Sequence, residues 1–416
     1  MKTRTIPILF AMAVCCALLL GACEQPTSET AGTAAPGTVT ESVAPPEATS
    51  TVTATPTATQ TPTATPLALG PDTFSEGIDP LTGLPAANPE WLLLPPSLVS
   101  ISDFPEFVRP QAGLDYSDWV FEAYIGQGMT RFLALFYGNY PTAGSTAQES
   151  NGFEPIIGPI RSGRVWYEDL RKLFNGFLVM ASGSSNVTAQ LENYYNAFSS
   201  DNEDAHNLIP VTELLSISQS TTLKSDPSYL VGNKFDLNPP AGGKQGLSLW
   251  VRWSLLNQEI WRYDPASGAY NRYQNDTQTG ATFTEMIDRL TGFPLTYENV
   301  IVLFADHYAH SETVIEIELL GATGPALLFR DGQEYQLQWT TMAGEYERST
   351  YRYRPIRFVD ADGNPFPLKP GQTWVIIVPG YCPYYETVDS EDILAMLNQQ
   401  VPGSGHWALV FTPPAY

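Results

Sequence analysis

The chain has 416 residues, with 21 Lys+Arg against 44 Asp+Glu and a formal net charge of -23. Such acidity repels nucleic acid and anionic headgroups from the protein as a whole, which excludes nucleic acid as a general partner but leaves room for one local basic site. With only four cysteines, two of them early in an apolar leader, neither a disulfide framework nor a thiolate zinc cluster is available.

Lys2 and Arg4 precede an apolar run from Ile6 to Leu20, and Leu20-Gly21-Ala22-Cys23 follows. A basic head, a short apolar core and small residues before the cut describe a secretory signal, predicted over residues 1–22. A cysteine at the cut is the bacterial lipobox, so Cys23 is the expected lipidation site and the new N-terminus. The run is shorter than the ~20 residues of a comfortable membrane span, and no later stretch is apolar enough to cross. The expected location is therefore the extracytoplasmic face of a bacterial cell membrane. One acyl chain binds weakly, so a firm hold needs the diacylglyceryl group of such lipoproteins. Loss of Lys2 and Arg4 leaves the mature chain more acidic still.

Residues 23–70 are Thr, Pro, Ala, Ser and Val with little else, as in Thr51-Val52-Thr53-Ala54-Thr55-Pro56. Such a segment buries too little apolar surface to offset its ordering entropy and reads as a disordered stalk. Asn186-Val187-Thr188 and Asn275-Asp276-Thr277 match the glycosylation sequon, which a bacterial lipoprotein would not normally use.

The folded part is read as α+β: a layered α/β N-terminal domain, 71–235, and a β-rich C-terminal domain, 244–416. In the first, Trp119–Tyr124 and Arg131–Tyr137 are predicted strands joined by Gly126-Gln127-Gly128. Val165–Phe174 is a predicted helix, Gly176–Ala181 a buried strand and Val187–Phe198 a second helix. Asp236–Gly243, with two prolines and two glycines, is the break. Beyond it, Asn299–Phe304 is a strand candidate, and Thr313–Leu320 alternates Ile315, Ile317 and Leu319 against Glu316 and Glu318. Ala326–Arg330 and Glu334–Trp339 flank Asp331-Gly332, a hairpin signal. Ile356–Val359 and Thr373–Val378 read as strands, Ser390–Gln400 as a helix capped by Ser390, and His406–Phe411 as a last strand.

Four arginines, Arg109, Arg131, Arg161 and Arg164, lie close together in a chain poor in base. Gly158–Arg164 leads into a predicted helix, whose first turn offers unpaired N–H groups and a positive dipole end. Ser162, Gly163 and Arg164 are thus candidates for an anion cradle with forked guanidinium donors, suited to phosphate, pyrophosphate or carboxylate. Asp118 and Glu122, four apart on one strand, share a face; they would steady the arginines or hold a hard cation beside a phosphate. Structural ion pairing among these charges is the competing reading. Ser182, in Ser182-Gly183-Ser184-Ser185, would add a hydroxyl to the site or cap the next helix. His206 is either a polar core anchor or a site residue. His307, His310 and Glu312 have weak metal-ligand spacing and are expected on a solvated loop, so no metal is assigned. Cys382, amid Tyr381, Pro383, Tyr384 and Tyr385, is expected to be a buried, inert thiol. No Walker loop, dinucleotide fingerprint, HExxH or nucleophile elbow is present, so no cofactor is expected and catalytic residues stay unassigned.

Several motifs together resemble the YerB-like lipoprotein family. They are Asp79-Pro80-Leu81-Thr82-Gly83-Leu84, Arg109-Pro110-Gln111-Ala112-Gly113-Leu114, Ser117–Glu122, Thr130–Phe136, Ile157–Arg164 and His206-Asn207-Leu208, with Glu298–Val302 and Pro370–Trp374 in the C-terminal half. The resemblance implies a two-domain, membrane-anchored bacterial lipoprotein of unknown function, and it carries no catalytic residues. The chain departs from the pattern over Glu213–Arg262 and at His307–Ser311, where another kind of loop is expected. A fainter similarity, of Ser117-Asp118-Trp119-Val120 and Ile160-Arg161-Ser162, is to the LytR-CpsA-Psr phosphotransferases of cell-wall assembly. The leading expectation is binding of an anionic or glycan-containing envelope ligand, or of a partner protein, at the arginine face. The alternative is a metal-assisted enzyme acting on a phosphorylated wall precursor.

Overall fold

In a computed structural model, residues 69–144, 146–150, 152, 154–198 and 207–415 are described. Cys23, the leader, the stretch up to residue 68 and His206 lie outside the described residues. The architecture is α+β.

The first half of the chain supplies β1 (Ser97–Ser102), β2 (Trp119–Gly126) and β3 (Met129–Phe136), then α1 (Tyr167–Leu173), β4 (Phe177–Met180) and β5 (Tyr194–Asn196). The β2–β3 turn uses three left-handed residues, Gly126, Gln127 and Gly128. A side chain at Gly126 would lie 2.0 Å from the Glu312 carbonyl oxygen, so only glycine fits there. The second half supplies β6 (Ser248–Arg252), β7 (Gln258–Asp264), β8 (Ala269–Asn275), β9 (Asn299–Ala305), β10 (His307–Ser311) and β11 (Val314–Ile317). It continues with β12 (Thr323–Arg330), β13 (Gln333–Thr340), β14 (Arg357–Val359), β15 (Thr373–Pro379), β16 (Tyr384–Glu386), α2 (Ile393–Asn398) and β17 (His406–Val410).

Eleven strands form the main sheet, in the order β14-β13-β12-β9-β15-β2-β3-β1-β4-β5, with Lys244–Gln245 added to β13. The join between the halves is the parallel pair β2–β15, with Trp119 opposite Thr373 and Glu122 opposite Ile376. The breaker at 236–243 therefore divides the chain without dividing the sheet. The second sheet has seven strands and comes wholly from the C-terminal half: Phe283–Glu285, β8, β7, β6, β17 and β16 in order, with Thr296–Tyr297 beside β8.

β2, β9 and β15 are buried at every residue, because both faces of the main sheet are covered. On one face Trp119 and Phe121 pack against Phe174, just past α1, at ring-centroid distances of 5.6 and 5.5 Å. On the other, Trp374 of β15 meets Trp261 of β7 and Tyr297, each at 5.1 Å. Residues of opposite parity on β2 and β3 thus face different layers.

Three expected elements differ. Of the stretch predicted as helix over Val187–Phe198, only Val187 and Thr188 are helical, as the end of the short helix Ser185–Thr188. Asn193 takes a left-handed conformation, turning the chain into β5. Ser184 sits at the N-cap position but makes no side-chain cap bond. The C-terminal helix is shorter than predicted, and Asp392 rather than Ser390 caps it, accepting from the Leu394 N–H at 2.9 Å. Finally, His307–Ser311 is no solvated loop: it pairs with β11 as a hairpin. Ile315 and Ile317 point inward and Glu316 outward, as the alternation predicts.

Candidate functional site

The four arginines divide between the two faces of the main sheet. Arg131 lies opposite Ala123 on β3, whereas Glu122 lies opposite Phe132. Adjacent positions on a strand point to opposite faces, so Arg131 faces the α1 layer and Glu122 faces the second sheet. The expected Arg131–Glu122 partnership is overturned by this parity.

On the α1 side, three arginines gather around the segment before the helix. Arg131 and Arg164 each donate through Nη1 to the Ser162 carbonyl oxygen at 3.3 Å, and Arg164 also to the Gly163 carbonyl at 2.9 Å. The Ser100 hydroxyl bonds the same Ser162 carbonyl at 3.3 Å and the Tyr167 hydroxyl at 2.8 Å. Arg131 is only 7% exposed. Burial brings its pKa down to about 9, opposed first by Tyr167 and aided to a lesser degree by the nearby Arg164 and Arg161. Burial lowers Arg161 and Arg164 as well. The Nε atoms of Arg131 and Arg164 are buried and have no hydrogen-bond partner among the described residues.

The expected backbone cradle does not form. α1 begins at Tyr167, three residues beyond Arg164. The Arg161 N–H donates to the Ser100 carbonyl, and the Gly163 N–H to the Ser182 carbonyl, both already spent. Ser182 contributes that carbonyl and a left-handed backbone; its own N–H donates to the Asn196 side chain at 2.9 Å.

Arg109 belongs elsewhere. Its Nε donates to the Asp103 carbonyl at 3.1 Å and its Nη1 to the Asn275 carbonyl at 3.0 Å, beside a cavity of about 340 Å³. Asp118 lies at the far end of the hairpin from Arg131, accepting from the Tyr137 N–H at 2.6 Å. Burial, then the Asp79 charge, holds its carboxyl well above the usual range, so it keeps its proton and donates it to Asp79. Asp79, pushed up to about 7 chiefly by burial, in turn accepts from the Leu81 N–H at 2.8 Å. Asp118 is therefore a structural acid that ties the Asp79-Pro80-Leu81-Thr82 turn to β2.

Glu122 enters a buried polar hub between the two sheets that the sequence reading missed. Arg272 of β8 is its centre, fully buried. Its Nε donates to Glu259 at 2.8 Å and its Nη1 to the Gln274 side chain at 2.8 Å, while Nη2 lies 2.6 Å from Glu259 and 3.5 Å from Glu122. The Thr130 hydroxyl stands between Glu122 at 2.8 Å and Asp103 at 2.9 Å. Trp374 donates to Glu122 at 3.1 Å, and Gln274 to Asp103 at 2.8 Å. The guanidinium also lies 4.9 Å from the Trp374 ring and 5.1 Å from Phe132. Burial, then the Glu259 charge, raises the Glu122 pKa well above its ordinary value. Burial works against the Arg272 charge, but Glu259, Glu122 and Asp103 outweigh it and raise its pKa.

The carboxylates thus do not converge with the three arginines, and Asp118 and Glu122 cannot hold one cation together. His307 and His310 are likewise separate. His307 bonds the Ala305 carbonyl at 2.9 Å and burial drives its pKa down to about 4, while exposed His310 bonds Glu316 at 2.8 Å. Cys382 is a buried free thiol, pushed up to about 11 by burial, hence protonated and unreactive at neutral pH.

Residues 81–230 match the N-terminal domain, and residues 250–375 the C-terminal domain, of a family described as a protein of unknown function, DUF3048. A Bacillus subtilis (strain 168) protein named "Putative lipoprotein YerB" is 25% identical over 328 residues, which cover 74% of this chain and 88% of that protein. The crystal structure of the YerB protein from Bacillus subtilis shares the fold, with a TM-score of 0.54 and 24% identity over 73% of this chain and 96% of that one. Both halves match in order, and the relative aligns along most of both chains, so the chain belongs to the YerB-like lipoprotein family.

Proposed function

We propose that this protein is held by lipid on Cys23 at the extracytoplasmic face of the membrane, and that the Arg131–Arg161–Arg164 cluster binds a phosphate- or carboxylate-bearing envelope ligand. The carrying observation is the pair of buried Nε–H groups, on Arg131 and Arg164, that find no acceptor among the described residues. An orphaned buried donor costs ~1–3 kcal/mol, and more when charged. An incoming oxyanion would accept from both and relieve the repulsion among three cations drawn together. The planar guanidinium forks suit the oxygens of phosphate or carboxylate. A metal-assisted reaction on a wall precursor gains no support, because its acidic half, Asp118 and Glu122, is committed elsewhere.

Calorimetric titration of the mature protein with inorganic pyrophosphate and with a glycerol-phosphate polymer tests the reading. Arg161→Ala and Arg164→Ala are each expected to weaken binding about 10- to 100-fold, the loss of a charge-assisted contact. The melting temperature should stay nearly unchanged. A lower melting temperature with unchanged affinity would mean that the arginines serve the fold alone.

A further inference from the structure

We infer a second binding surface, built by α1 and the loop before β14, that takes an anionic carbohydrate chain. A hollow of about 210 Å³ lies at the C-terminal end of α1. Arg171, Lys172 and Asn175 line it together with Tyr229, Tyr351, Arg352 and Tyr353. None of the described lining residues carries a carboxylate, in a chain whose acids outnumber its bases 44 to 21. The acids around it have partners: Glu168 pairs with Arg171 and Lys172, Glu192 with Arg171, and Glu347 with Arg354 and Arg357, while Asp226, which accepts from the Ser228 N–H, lies within reach of the Arg352 charge.

The aromatic side is unusually open. Tyr351 is 92% exposed and Tyr353 45% exposed. Tyr351 closes a short helix, Glu345–Thr350, in the left-handed conformation, φ 57°, which a tyrosine rarely adopts. That conformation presents its ring to solvent instead of to the core. Arg352 stacks on Tyr229, with its guanidinium carbon 3.7 Å from the ring centroid. The stack holds a planar cation ready for an anion while leaving its edge donors available. Open tyrosine rings beside fixed cations fit a chain of sugar rings bearing negative charge: the rings cover apolar sugar faces and the cations meet the acidic substituents. An acidic peptide would satisfy the cations but leave the rings unused.

The surface is independent of the Arg131–Arg161–Arg164 cluster, and the experiment separates them. Full-length protein in nanodiscs is titrated with polygalacturonate and with phosphomannan, against neutral dextran and polyglutamate. At least one of the two charged polysaccharides should bind, and dextran and polyglutamate should bind far more weakly. Tyr351→Ala and Arg352→Ala should each weaken that binding about tenfold, as for an anchor residue. Both side chains are exposed, so the melting temperature should hold, and Tyr351→Ala should leave the binding of inorganic pyrophosphate unchanged. Failure of both charged polysaccharides to bind, equal binding of polyglutamate, or insensitivity to Tyr351→Ala overturns the inference. Loss of pyrophosphate binding in Tyr351→Ala would overturn the independence of the surface.

Discussion

Replacing Arg272 with alanine is expected to remove roughly 3–5 kcal/mol of stability, the range for breaking a buried charge network on one side. Arg272 is the cation that Glu259 and Glu122 both face, and all three are essentially without solvent contact. Its loss strands the Glu259 carboxylate and leaves the Gln274 carbonyl without its donor. It also opens a cavity beside Trp374 and Phe132. Because the hub joins the main sheet to the second sheet, the damage falls on the packing of one against the other. Urea unfolding of the purified protein measures it as a lower midpoint. Adding Glu259→Gln should restore part of the loss, since the neutral amide no longer needs a counter-charge, and the double-mutant cycle should show strong coupling. A loss below ~1 kcal/mol for Arg272→Ala would mean that the hub adds little to the fold.

Stability is expected to rise as the pH is lowered from 8 to 5, the reverse of ordinary acid denaturation. Asp79, Asp115 and Glu334 are each raised to about 7, in every case chiefly by burial. Between the unfolded carboxyl pKa of ~4 and those values, the folded chain binds more protons than the unfolded one, so stability falls as pH rises. For the Asp79–Asp118 pair alone the slope is on the order of 1 kcal/mol per pH unit. For Asp79, Asp115 and Glu334 the contribution is fully present below about pH 4 and gone above about pH 7. Glu347 opposes this at the acid end. Its pairs with Arg354 and Arg357 outweigh burial and hold its carboxyl down to about 2, so its contribution is lost on further acidification. A maximum near pH 4–5 follows. Asp118→Asn keeps the acceptor for Tyr137 and a donor for Asp79, but removes the trapped proton and the like charge. Thermal melts from pH 5 to 8 should therefore be flatter for Asp118→Asn than for the parent. A parent profile that rises toward pH 8 would contradict the assignment.

Much of the main sheet was legible because its strands obey simple rules. The Gly126-Gln127-Gly128 turn between apolar runs gave β2 and β3, and Asp331-Gly332 gave β12 and β13. Of the second sheet, only β17, expected over His406–Phe411, was legible. β7 and β8 carry Glu259, Arg272 and Gln274, polar residues that look solvent-facing in sequence and in fact point into the hub. A buried polar network disguises the apolar alternation that marks a strand. The candidate site was half legible. Three of the four arginines do converge, but their distribution over faces follows from hairpin register: Ala123 opposite Arg131 puts Glu122 on the other side. Sequence spacing along one strand says nothing of that. Arg109, in the same stretch of the chain as the others, joins the second sheet through Asn275, a long-range contact without a local signal.

The central claim is that an oxyanion bonds the orphaned Nε–H groups of Arg131 and Arg164, and nitrogen-15 NMR of arginine Nε–H resonances during titration with inorganic pyrophosphate reads those two atoms directly. Both resonances should move together and saturate, while the Nε–H of Arg272, already bound to Glu259, stays in place. If pyrophosphate leaves Arg131 and Arg164 unmoved at saturating concentration, or shifts every exposed arginine alike, the proposed site is refuted.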